Sequence, residues 1–116
     1  MKRDNKLFLE DILVAIHDIE TFSQGITFKD FCSDKEKRLA ILKSFEIIGE
    51  AVKNLEESLT SQYPSIPWAR MAAFRDVLTH EYFGIDLEFV WKVIAERLPR
   101  LKQEMLQIKN QLNKSP

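Results

Sequence analysis

Apolar residues recur every three or four positions along nearly the whole chain, the spacing of one buried helix face, and no segment shows the strict alternation of a strand. Leu9, Ile12, Ile16 and Ile19, with Leu13 beside them, mark a first helix whose start Asp4 or Asn5 can cap. Ser23-Gln24-Gly25 interrupts it, and Thr27 to Cys32 reads as a loop or single helical turn pinned by Phe28 and Phe31. A long second helix, capped by Ser33 or Asp34, carries Leu42, Phe45, Ile48, Val52, Leu55 and Leu59 until Tyr63-Pro64-Ser65-Ile66-Pro67 stops it. Pro67 suits the first position of a third helix running through Trp68, Met71, Arg75 and Leu78 towards Gly84. Asp86 caps the fourth. Its stripe is Leu87, Val90, Trp91, Ile94, Leu98, Leu101, Met105, Ile108 and Leu112, with Pro99 marking a kink or a break.

Four amphipathic helices with short connections predict an all-α fold, an antiparallel four-helix bundle. The 116 residues and 45% hydrophobic content suit one domain spanning residues 1–116, with no repeats, linkers or low-complexity tracts. Gly49 lies inside the second apolar stripe. An interior glycine costs about 1 kcal/mol relative to alanine, so the expected return is a close crossing with another helix.

Charge adds an asymmetry that the formal net of −1 conceals. Residues 1–91 carry 11 Lys and Arg against 16 Asp and Glu, whereas residues 92–116 carry 6 against 2. The basic end is either a solvated helix face or a surface for phosphate or an acidic partner. Cys32 is the only cysteine, which excludes an intrachain disulfide and a CxxC site. His17 beside Asp18 has no second ligand in sequence, and no Gly-rich loop cradles a phosphate, so neither a metal nor a cofactor is expected. Leu7-Phe8-Leu9 is too short for a signal-peptide core, and no apolar run approaches the roughly 20 residues that cross a bilayer. A soluble, cytoplasmic protein is expected.

Candidate chemistry concentrates at the end of the third helix, in Arg75-Asp76-Val77-Leu78-Thr79-His80-Glu81-Tyr82-Phe83-Gly84. At about 100° per residue, Arg75 and Tyr82 lie about 20° apart, and Asp76 and His80 stack at the i,i+4 spacing. Arg75 and His80, however, diverge by about 140° on a regular helix. A shared site therefore needs unwinding near His80 or contributions from two chains, and a homodimer is expected. Arginine offers a planar fork of donors for phosphoryl oxygens, and histidine can give or take a proton near neutral pH. Together they suit metal-free RNA cleavage, in which the neighbouring 2′-hydroxyl attacks the phosphate and leaves a cyclic phosphate. Asp76 can orient the imidazole. On residue types alone, a capping histidine and a surface arginine at a helix end give the same pattern.

The stretch Ile66-Pro67-Trp68-Ala69-Arg70-Met71-Ala72-Ala73-Phe74-Arg75-Asp76-Val77-Leu78-Thr79-His80-Glu81-Tyr82-Phe83-Gly84-Ile85-Asp86 resembles the signature of the HepT-like toxins of the HEPN superfamily. That signature is an Arg, four residues, a His, one residue and a Tyr, after a Pro-Trp helix start and before Phe-Gly and an acidic residue. The resemblance extends to Ile47-Ile48-Gly49-Glu50-Ala51-Val52, Val90-Trp91 and Leu98-Pro99, nearly the whole domain. It implies a four-helix bundle of HEPN type and an endoribonuclease toxin acting as a homodimer, encoded with a minimal nucleotidyltransferase antitoxin. It also implies Arg75 and His80 as the catalytic pair and Asp76, where relatives often have Asn, as a supporting residue. Tyr82 matches the tyrosine that such toxins have AMPylated by the antitoxin, which would block RNA by charge and bulk. Glu50 could face Arg75 or be a solvated carboxylate, and it stands outside the core site. Two other readings compete: a non-catalytic HEPN module that docks a nucleotidyltransferase and is modified by it, and a purely structural bundle. The intact Arg75 and His80 pair favours the nuclease.

Overall fold

The computed structural model describes residues 4–80 and 84–114, with the side chain of His80 outside that description. Among the described residues there is no strand. The elements are α1 (Asn5–Ser23), α2 (Phe28–Ser33), α3 (Lys35–Asn54), α4 (Glu57–Thr60), α5 (Trp68–His80), α6 (Leu87–Lys92), a π-helical segment (Val93–Arg97) and α7 (Leu98–Lys114). α1 packs on α3 and α7, and α3 packs on α5, so the four long rods form the all-α, antiparallel bundle that the periodicity predicts.

Three of the helices start where an aspartate caps them. Asp4 accepts from the Leu7 N–H, Asp34 from Lys37 and Asp86 from Phe89. Thr27 and Asp30 form a reciprocal capping box, which makes the Phe28–Ser33 segment a true short helix. Gly25, at φ 75°, makes the turn out of α1, a conformation that costs glycine little. The predicted stripes are buried: Leu9, Ile12, Ile16 and Ile19 of α1 are fully covered, as are Val90, Met105 and Ile108 of the last rod.

Two stretches of the long helices differ from the sequence expectation. The second apolar stripe does not belong to one helix, because α3 ends at Asn54 and Glu57–Thr60 forms a separate turn. Leu55 turns extended there, and the Glu56 N–H is taken by the Asn5 side chain at 3.0 Å, so the start of α1 holds the break. Leu55 and Leu59 nevertheless stay in the core, which is why the pattern alone reads through. Pro99, in turn, does not break the last rod, which runs from the π-helical segment Val93–Arg97 directly on into Leu98–Lys114 in sequence. Immediately before Pro99 the helix widens, and the Leu98 N–H reaches back five residues to the Val93 carbonyl. A wider turn accommodates the ring and missing donor of a proline that would clash in a regular α-helix.

The charge asymmetry becomes a contact between helices. Lys102 binds Glu20 at 3.2 Å and Lys109 binds Glu10 at 2.9 Å, joining basic α7 to acidic α1. Arg97 and Arg100 both turn to Glu104. Among the described residues no helix is long and apolar enough to cross a membrane.

Candidate active site

Trp68 fixes the start of α5. Its indole N–H bridges the carbonyls of Thr60 and Tyr63, each at 3.1 Å, while the carbonyl of Pro67 accepts from Met71 at 3.1 Å. Pro67 therefore stands just ahead of the helix rather than at its first position. From there α5 lies antiparallel across α3, with Arg75 against Gly49 and Thr79 beside Glu46.

α5 is unusual among the long helices in that, of its described side chains, only Leu78 is buried, although Trp68, Met71, Phe74 and Val77 are also apolar. Along the face it turns to α3, Met71, Arg75 and Leu78 follow one another at helical spacing. Arg75 thus occupies a position where a bundle would ordinarily place an aliphatic side chain. Its stem fits because Gly49 has no side chain: a methyl group there would collide with the Arg75 Cβ and stand 3.0 Å from the Met71 carbonyl oxygen. This is the close crossing that the glycine predicts, and what it admits is the arginine.

A charge on a core-facing stripe must be paired to be tolerated. The Arg75 side chain is 24% exposed, Nη1 donates to Asp76 Oδ1 at 3.2 Å, and Nε stands 3.1 Å from Glu50 Oε2. The two contacts differ in kind. Nη1 to Asp76 is a hydrogen bond, whereas Nε is buried with its hydrogen off the line to Glu50, leaving a charge contact without a directed bond. Asp76 also faces Lys53, whose Nζ is 3.6 Å from the same Oδ1. The hydrogen bond from Arg75, helped by the charge of Lys53, holds the Asp76 carboxyl below its ordinary value of 3.8. Thr79 donates to the Arg75 carbonyl at 3.0 Å and reaches Glu46 at 3.4 Å, tying the end of α5 to α3.

Of the residues singled out in the sequence, Arg75 and Asp76 come together directly, and the Asp76 carboxylate is engaged by Arg75 and Lys53. The His80 side chain and Tyr82 lie outside the described residues. The backbone does settle one point: α5 is regular α-helix through His80, so position 80 keeps its register with Ala73 and Val77, about 140° round from Arg75. No unwinding before His80 brings the two together. Glu50 and Lys53 are the residues sequence reasoning set aside or passed over. Their signal was spacing, since both sit within one turn of Gly49 on α3. No group of three or more His, Cys, Asp or Glu side chains among the described residues is placed to hold a metal ion.

A four-helix bundle that carries a half-buried arginine at its central crossing, five residues ahead of a histidine, is a HEPN-type fold. The family model for HepT-like ribonucleases matches residues 12–108, and the chain belongs to that family. It is 47% identical over 102 residues to "Probable ribonuclease HepT" of Thermococcus cleftensis, covering 88% of this chain and 93% of that one. It is 43% identical over 107 residues to "Putative RNase MJ0127" of Methanocaldococcus jannaschii, covering 92% and 88%. A third relative, "Putative RNase TTE0752" of Caldanaerobacter subterraneus, is 38% identical over 101 residues, covering 87% and 90%. No solved structure matches the chain.

Proposed function

We propose that this chain is a metal-independent endoribonuclease toxin, acting as a cytoplasmic homodimer and silenced by AMPylation of Tyr82 by a cognate nucleotidyltransferase antitoxin. The observation that carries the reading is the seating of Arg75: a guanidinium kept on a core-facing stripe, at a crossing cleared for it by Gly49. Structural economy would place a leucine there, so the charge is retained for binding an anion. Relatives named as ribonucleases support reading that anion as an RNA phosphodiester.

In the proposed reaction the 2′-hydroxyl attacks the adjacent phosphorus, the bond to the 5′-oxygen breaks, and the products are a 2′,3′-cyclic phosphate and a 5′-hydroxyl. Arg75 stabilises the charge on the phosphoryl oxygens, and His80 moves the proton that the oxygens exchange. The unbroken helix between the two residues supports a site composed from two protomers, with Arg75 of one facing His80 of the other. The exposed small and apolar positions Ala73 and Val77, in register with position 80, suit the face on which a second copy would sit.

The reading is tested by incubating the protein with RNA in EDTA and analysing the ends. Wild type should leave cyclic phosphate termini, and Arg75→Ala or His80→Ala should leave none while keeping the helical spectrum. Undiminished cleavage by the His80→Ala protein would sink the mechanism.

A further inference from the structure

Two cations at the α3–α5 crossing share one oxygen. Asp76 Oδ1 lies 3.2 Å from Arg75 Nη1 and 3.6 Å from Lys53 Nζ, and among the described residues Lys53 makes no other ion pair. An oxygen held between a guanidinium and an ammonium stands where an oxygen of a bound anion would stand.

We propose that Lys53 is a second phosphate-binding residue of this site, forming with Arg75 a two-cation seat that Asp76 fills in the free chain and an RNA phosphodiester takes over on binding. The inference rests on the reading of the chain as a ribonuclease. It goes further by assigning to α3 a residue that touches substrate.

Three features of the site support the exchange. Asp76 is 52% exposed and Lys53 43%, so their contact is a weak, solvent-screened surface pair that an incoming phosphate can displace. The groups face outward, whereas the guanidinium they flank is the most covered of the set, so the seat opens to solvent on the Lys53 side. Charge completes the case. Arg75 and Lys53 are balanced by Glu50 and Asp76, leaving the free site neutral. With Glu50 still on Nε, Arg75 alone would offer a phosphate no net positive charge. Lys53 supplies the surplus once Asp76 gives way.

Salt dependence of binding tests this, because each phosphate contact adds to the slope of affinity against salt. The probe is a single-stranded RNA oligonucleotide with 2′-O-methyl groups throughout, which lacks the attacking hydroxyl and reports binding without cleavage. Lys53→Ala should bind about five- to tenfold more weakly, with a log–log salt slope shallower by about 0.7, and Lys53→Arg should recover both. Lys29→Ala, which removes the same charge from α2 at the opposite end of α3, should keep the wild-type slope. The proposal is overturned by an unchanged slope and affinity in Lys53→Ala when Arg75→Ala weakens binding. It is equally overturned if Lys53→Ala and Lys29→Ala behave alike, because the effect would then be net charge and not a seat. If neither Arg75→Ala nor Lys53→Ala alters binding, the ribonuclease reading itself fails and the seat falls with it.

Discussion

Gly49 and Arg75 fill a single space: the missing side chain of one is the room taken by the Cβ and Cγ of the other. The crossing of α3 and α5 is set by that complementarity, and the depth at which the guanidinium sits follows from it. Gly49→Ala should therefore lose roughly 1–3 kcal/mol of stability, the usual cost of overpacking, although alanine is the better helix former. Denaturant unfolding measures this. Cleavage should fall further than stability explains, since a shifted α5 moves Arg75. A Gly49→Ala protein as stable as wild type would mean that the two helices do not meet so closely.

A composite site can be tested by mixing two inactive proteins. Arg75→Ala chains keep His80, and His80→Ala chains keep Arg75, so a heterodimer of the two contains one intact site if each site draws on both protomers. Random reassembly should recover about a quarter of wild-type cleavage, half the dimers being mixed and half their sites intact. Light scattering should show the dimer directly. Should the mixture remain as inactive as its parts, each site lies within one chain.

Tyr82 should accept AMP from a cognate nucleotidyltransferase and ATP, its hydroxyl oxygen attacking the α-phosphorus as pyrophosphate leaves. The modified protein should lose cleavage, because a phosphate and a base enter the region RNA must occupy. Tyr82→Phe keeps the ring and removes the acceptor, so it should retain much of its toxicity and escape silencing. AMP found by mass spectrometry on another residue would reject this assignment.

The Asp76 carboxyl should titrate below 3.8 in a carbon-detected NMR experiment. A depressed folded value means that the contribution of Asp76 to stability is present above the ordinary carboxylate pKa and is lost as pH falls through the depressed one. In Arg75→Ala the main cause is gone, and the midpoint should rise towards the ordinary value. A midpoint indifferent to that substitution would show that Arg75 and Asp76 do not pair in solution.

Much of this was legible in the residue pattern because helical periodicity and capping chemistry are local. Asp4, Asp34 and Asp86 cap the helices that their positions foretell, and the apolar stripes of α1 and α7 are the ones buried. What the pattern did not show shares a cause. Leu55 and Leu59 keep helical phase across a break made by Asn5, some fifty residues away in sequence. At Pro99 the sequence shows the obstacle but not the widened turn that absorbs it. For the site, Arg75 was evident from its spacing to His80 and Gly49 from its place in a stripe. That the two meet, and that Glu50 and Lys53 join them, depends on how α3 and α5 cross.

The pairing of α7 with α1 also shapes what the protein presents to a polyanion at a distance. Lys102 and Lys109 are matched by Glu20 and Glu10, so fields of opposite sign cancel within a few ångströms of the surface. From these pairs little potential should extend beyond a Debye length of about 8 Å, and the formal net charge of −1 adds no basic surplus to draw a nucleic acid in. Encounter should then proceed at an ordinary diffusive rate, without the steep acceleration that strongly basic proteins gain at low ionic strength. On the proposed function, selection among RNAs would then rest on the short-range fit of each strand at the α3–α5 crossing.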